Sequence, residues 1–482
     1  MLHPFLDIED ALVSEDNPAS EGMFDFERCA KLHNYLVALG WMAAHQKKAE
    51  DLDELLTRPS FFEVYADNNV EILDNKLDDS MVSFLGSVII PDFSRGDLGF
   101  FYWVSSLVEP KEMLVTDTTL LEYEGDETED GRPLFLLLYD TATGSHSFGV
   151  IYDQQRHRVA FPMYLEDTDF VLPVEEHPEM WHPLETMLTK WIKLIHIGKV
   201  TLSETPDTDW IWQPYSAAQV DSAVLAFDRL TAAIEARMSD ASLLSIDGDK
   251  PLFTEVELDT ASVPKSCFIR SVLTRVRTPR FITIAPGLKV PHDAAIFAVN
   301  QKFIAIQRRV DRYRPGTMIP PVLIFGPADP NQTINIDKSE RYMALNPFEH
   351  MGLVIPFGDH STPAGLYSEA VEQGSYYATN EEGIWLLLPF PLRVDDWSEQ
   401  GARTGDRNMV KRGTISGLFQ QGFQPFGGEH HPQSLERLLD KWRELVETGI
   451  WTVGDSGVEG GIDTFRDADT GAWKDYLIPS EL

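Results

Sequence analysis

The residues best suited to chemistry sit together at Asp395-Asp396-Trp397-Ser398-Glu399, a DDxxE pattern. Three neighbouring carboxylates repel one another, so at least one carboxyl pKa should rise unless a cation lies among them. Mg²⁺, a guanidinium or an ammonium group would serve. If the five residues open a helix, Asp395 and Glu399 share a face at i, i+4. The competing reading is an acidic helix start favoured by the N-terminal dipole. In a chain with 77 acidic residues such a pattern arises easily.

Other reactive side chains carry weaker signals. Cys267 follows Lys265-Ser266 in a basic stretch, where nearby cations would lower a thiol pKa, although small buried cysteines are commoner. Glu429-His430-His431 and Glu349-His350 lack the third converging ligand that a metal needs, so surface or capping histidines are expected. No phosphate loop, GxGxxG, HExxH, CxxC or GxSxG occurs. No metal and no cofactor are therefore expected.

Charge is unevenly distributed. Lys265–Arg314 holds eleven cations against Asp293 and Asp311, leaving −46 on the remainder of a chain whose net charge is −37. Phe268, Phe281, Phe297, Phe303 and Tyr313 are interleaved with them. A stripe of this kind can neutralise a phosphate backbone. Its alternative is internal pairing with the acidic remainder. The candidate nucleic-acid contacts are Arg275, Arg277, Arg280, Lys302, Arg308 and Arg309.

These groups need elements to position them. Asp25–Gln46, Leu184–Lys199 and Ser216–Met238 read as amphipathic helices. Leu134–Tyr139, Phe148–Tyr152 and Arg158–Phe161 read as a β-meander. In the basic stretch Phe281–Ala285 reads as a strand, Pro286-Gly287 as a turn, and Pro291–Arg309 as a helix with Ile296, Val299, Phe303 and Ile306 inward. The apolar run Ile384–Leu388 leads to the DDxxE residues and places them at a strand end. The small, polar, acidic stretch Ser239–Lys250 marks a boundary.

The second half echoes the first. Leu184, Leu188, Trp191 and Gly198 align with Leu435, Leu439, Trp442 and Gly449 at an offset of 251, and the same offset sets Leu134–Tyr139 opposite Trp385–Phe390. The expected fold is α+β (mixed α/β), with two similar halves, 1–245 and 246–482. Internal duplication would give each half a short meander and amphipathic helices. Two units also suit 482 residues, since one core rarely grows past roughly 250–300.

Hydrophobic content of 43% excludes wholesale disorder. No run reaches the ~18 apolar residues of a membrane span, and the first residues carry no cationic, apolar leader pattern. Cys29 and Cys267 are the only cysteines, which fits a reducing compartment. A cytoplasmic protein without membrane contact is expected.

On the DDxxE residues Asp395, Asp396 and Glu399, and on its length, the chain resembles the fungal arginine-containing cyclodipeptide synthases. The resemblance implies that arginine and a second amino acid are taken from aminoacyl-tRNAs, arginyl-tRNA among them, and closed into a 2,5-diketopiperazine. The ester on tRNA is already activated, in keeping with the missing phosphate loop. A carboxylate would hold the guanidinium bidentately, or accept the proton of the attacking amine. No segment matches the serine nucleophile of the bacterial cyclodipeptide synthases. Two other classes fit the residues: a non-catalytic, two-repeat acidic interaction protein, and a Mg²⁺-dependent, diphosphate-processing enzyme like the terpene synthases. The meander counts against the all-helical terpene fold.

Overall fold

The computed structural model describes residues 3–66, 70–114, 131–141, 149–162, 180–203, 209–304, 317–334, 347–348, 362–373, 380–393, 400–423 and 432–480. Helices and sheets are mixed throughout, an α+β protein. The chain forms two compact units, Met1–Trp212 with Phe423–His430 and Glu481–Leu482, and Gln213–Gly422 with His431–Ser480. The second unit thus begins at Gln213, ahead of Ser239–Lys250. That stretch is bonded into the second unit, with Leu244 N donating to Arg280 O and Thr278 N to Lys250 O. Its polarity marks a surface excursion within the unit. No helix among the described residues is long and apolar enough to cross a membrane.

In the first unit, Phe26–Ala44 forms a helix whose N-cap, Asp25, accepts from Arg28 N, meeting one of the orphan donors of a helix start. Cys29, Leu32, His33 and Leu36 face inward at i, i+3, i+4 and i+7. The helices Asp79–Ser87 and Leu184–His196 pack against it. An antiparallel sheet runs in the order Val104–Leu107, Phe135–Thr141, Val150–Asp153, Arg158–Ala160. Its last three strands are the expected meander. The two-residue period divides its faces: Leu136, Val150, Tyr152 and Val159 join the main core, and Phe135, Ile151 and Ala160 meet Trp181 in a smaller one.

The second unit is built on an eight-stranded sheet, in the order Gln433–Ser434, Gly383–Leu387, Gly365–Ser368, Leu323–Pro327, Leu288–Lys289, Thr283–Ala285, Gly457–Val458, Val453–Gly454. One pairing, Gly457 with Thr283, is parallel. The helices Ala217–Glu235 and Leu435–Glu447 pack on one face. There Phe227 and Trp442 each place their rings 6.2 Å from that of Phe325.

Each unit therefore runs from a 19-residue helix, through antiparallel strands, to a 13-residue helix and a hairpin. Leu184–His196 and Leu435–Glu447 have the same bounds at the offset of 251, and the glycines that follow them, Gly198 and Gly449, both turn left-handed at φ 75° and 78°. That conformation favours glycine because it has no Cβ. The strand comparison reads differently in three dimensions. Gly383–Leu387 pairs with the segment that leads into its helix. In the first unit that place belongs to Arg158–Ala160, through the Val159–His182 bridge, and Phe135–Thr141 lies two strands further in. Apolar runs of buried strands resemble one another wherever they lie in a sheet.

Candidate functional site

The residues Asp395, Asp396 and Glu399 lie outside the described ones, but both flanks are described. The strand Gly383–Leu387 arrives as expected, and Phe390 and Leu392 are buried after it. Arg393 takes a left-handed φ of 50°. One carboxylate then holds both flanks: Asp469 Oδ2 accepts from Arg393 N at 2.8 Å, and Oδ1 from Ala402 N at 3.0 Å. Arg393 and Ala402, which flank the acidic segment in the sequence, are thereby held close to each other within the second unit.

The basic stretch is folded into the unit by ion pairs. Asp221, Asp228 and Glu235 recur every seven residues along Ala217–Glu235, which places them on one face. Arg275 meets Asp221 at 2.6 Å, Arg277 meets Asp228 at 3.8 Å and Glu235 at 3.2 Å, and Arg280 meets Glu235 at 3.6 Å. Arg270, only 3% exposed, reaches Glu255 and, at 2.7 Å, Asp259. The fold therefore does not build a continuous free cationic patch through Arg275, Arg277 and Arg280. Lys302 is exposed, while Arg308 and Arg309 lie outside the described residues.

The cysteines are structural. Cys267 is fully buried, burial pushes its thiol up to about 12, and its Sγ–H donates to Pro264 O at 3.3 Å. A thiol held protonated is no nucleophile at neutral pH. Cys29 is buried beside Glu185, and its Sγ lies 3.5 Å from Oε2. His350, His430 and His431 lie outside the described residues. Among the described residues no group of three or more His, Cys, Asp or Glu could hold a metal ion.

What the fold does offer is an apolar groove of ≈ 420 Å³ on the second unit. Its floor is the sheet face opposite the helix pair. In Leu323–Pro327, Phe325 points to the helices, so Ile324 and Gly326 point the other way. Lys289 pairs with Gly326 in the ladder and shares that face, whereas Leu288 is fully buried in the core. One wall is a short helix, Ala294–Asn300, capped by Asp293 Oδ1, which accepts from Ala295 N and Ile296 N.

That helix turns a different face inward from the one its apolar spacing predicts. Phe297 is buried with its ring 4.4 Å from that of Phe253, whereas Ile296 and Val299 are 62% and 71% exposed. The inward anchor one turn on is Gln301. Its Nε2 donates to Leu323 O at 3.1 Å, and its Oε1 accepts from Leu323 N at 2.9 Å. A buried amide that satisfies both strand groups can occupy a core position, and a search for apolar periodicity passes over it. Phe303 is buried as expected, and Ile306 lies outside the described residues.

No protein-family model, curated protein or solved structure matches this chain.

Proposed function

We propose that this chain is a binding protein whose second unit receives an apolar ligand in the groove beside Ile296 and Ile282. The observation that supports it is a pair of exposed aliphatic side chains, Ile296 at 62% and Ile282 at 40%, on the wall of a ≈ 420 Å³ concavity. Apolar surface left in water is unfavourable by roughly 25 cal/mol per Å², and a concavity of a few hundred Å³ is the usual size of a small-ligand site. Gly326 sits on the groove floor, and a Cβ there would meet only Leu323 Cδ2, at an ordinary 3.5 Å. Gly326→Leu should therefore fill the groove while leaving the fold intact. A neutral apolar dye such as Nile red should bind the wild type and lose that binding in the variant. Equal dye binding by both proteins would remove this reading.

A second reading is the aminoacyl-tRNA-dependent cyclodipeptide synthase, with Asp395, Asp396 and Glu399 at the reaction site. The Asp469 clamp favours it, because a fixed stem is what an acidic segment needs to present carboxylates reproducibly. Expression in a heterologous cell followed by mass spectrometry for arginine-containing cyclic dipeptides tests it. Asp395→Asn and Glu399→Gln should lower yield roughly 30- to 1,000-fold at matched soluble protein. Undiminished yield from both variants would end this site assignment.

A further inference from the structure

We infer that the ligand of the groove is a small apolar monocarboxylate, its hydrocarbon part lying on Ile324 and Ile296 and its carboxylate on the ammonium of Lys289. This rests on the groove reading above and goes on to name the ligand's chemistry. The argument begins with charge. The chain carries 40 cationic residues against 77 acidic ones, so a cation without an acidic neighbour stands out. Arg270, Arg275, Arg277 and Arg280 are all ion-paired within the second unit. Among the described residues Lys289, like Lys265 and Lys302 of the same stretch, makes no ion pair and no side-chain hydrogen bond, and of these three it is the one that lines the groove.

The other charged or titratable groups on the groove are already engaged. Asp293 faces its own helix start, with Oδ1 on Ala295 N and Ile296 N. His292 has Nε2 2.8 Å from Phe281 O, and because a carbonyl only accepts, Nε2 carries the proton there. The amide of Gln301 is bonded on both sides to Leu323. Among the described residues the groove therefore presents one free cationic donor beside hydrocarbon. A ligand with one anionic end and an apolar body complements both parts. A neutral hydrocarbon leaves the ammonium unmatched, and a dianion brings a second charge to an apolar wall. The fold also keeps room for such a ligand, since Gly326, directly across the ladder from Lys289, has no side chain to fill the floor.

The test uses the full chain with Nile red as reporter and two competitors of equal length, decanoate and decanol, each below its aggregation threshold. Decanoate should displace the dye from the wild type at about tenfold lower concentration than decanol, as expected for one charge-assisted contact. Lys289→Gln should weaken decanoate by about that factor and leave decanol unchanged. Gly326→Leu should lose the dye and both competitors while its thermal melting stays like the wild type. Decanol competing as well as decanoate, or Lys289→Gln leaving decanoate unchanged, overturns the carboxylate assignment while the groove reading stands. Dye binding that survives Gly326→Leu overturns the groove reading, and this inference with it.

Discussion

The two units pair a long helix with a shorter one by different chemistry. In the first, Phe26–Ala44 meets Leu184–His196 partly through buried polar groups. Glu185, 1% exposed, accepts from Ser20 N at 2.9 Å and lies 3.5 Å from Cys29 Sγ, and Thr189 Oγ1 accepts from Val13 N at 3.0 Å. In the second, the buried residues of Leu435–Glu447 are all apolar. Its ion pair to the partner helix, Arg229–Asp440 at 2.8 Å, stays near the surface with 43% and 31% of the side chains exposed. The same helix lengths thus serve two ends. Glu185 and Thr189, one turn apart, tie the N-terminal segment to the helix. The all-apolar face of Leu435–Glu447 rests on the sheet through Trp442 and Phe325.

The largest expected effects would show how far the units depend on their aromatic centres. Trp442, fully buried, and Trp191, 2% exposed and stacked 5.0 Å from Phe101, occupy corresponding places in the two 13-residue helices. Trp442→Ala and Trp191→Ala should each destabilise by about 3–5 kcal/mol in chemical denaturation. A loss below 1 kcal/mol at either would break the correspondence.

Next comes the difference between the helix pairs. Glu185→Ala strands buried donors and should cost about 1–3 kcal/mol, whereas Asp440→Ala removes a half-exposed pair and should change stability by ~0–1 kcal/mol. Equal losses would show that the polar contacts of the first unit are not buried in solution.

The units should also respond to pH with opposite sign. His33 is fully buried in the first unit, between Tyr139 Oη at 2.8 Å and Ile89 O at 2.9 Å, and burial lowers its pKa to about 4. Its ordinary value is 6.5, so stability present above 6.5 is lost as pH falls through about 4. Glu369 is 4% exposed in the second unit, and burial pushes its carboxyl up to about 8, against the lowering effect of Trp385 Nε1 at 2.6 Å and Ala370 N. Its ordinary value is 4.5, so stability present below 4.5 is lost as pH rises through about 8. His33→Gln should flatten the acid limb of a stability–pH curve, and Glu369→Gln the alkaline limb. Each change is at most ~1.4 kcal/mol per pH unit, the effect of one proton. A limb unchanged by its own variant would show that the group ionises as it does in water.

The smallest effect belongs to the basic stretch. Arg275→Ala removes a pair in which both side chains are about half exposed, 49% and 57%, and should shift stability by no more than ~1 kcal/mol. Affinity for a generic tRNA should likewise stay unchanged, as filter binding can show, because Asp221 already neutralises this charge.

Helices and strands were legible where one face alternates cleanly. Asp25–Gln46 is observed as Phe26–Ala44, and Leu134–Tyr139 as Phe135–Thr141. Leu184–Lys199 and Ser216–Met238 are observed as Leu184–His196 and Ala217–Glu235. The groove was hidden from the same method. Its wall helix is anchored by Phe297 and Gln301, and its exposed side is aliphatic. Periodicity therefore pointed the wrong way round that helix.

By itself the chain's amino-acid order determined the α+β character, the long helices, the meander, and the presence of an acidic motif and a basic stretch. Those follow from interactions a few residues apart, through side-chain period, capping and local charge, which a linear pattern records. Only the tertiary structure decided what the charges and apolar residues face. Asp221 and Arg275 are 54 residues apart, and Asp469 reaches Arg393 across 76. Such partners are chosen by how the helices and strands pack, and nothing in either local segment encodes the other. The same holds for Lys289, which the ladder sets opposite Gly326, 37 residues further along the chain.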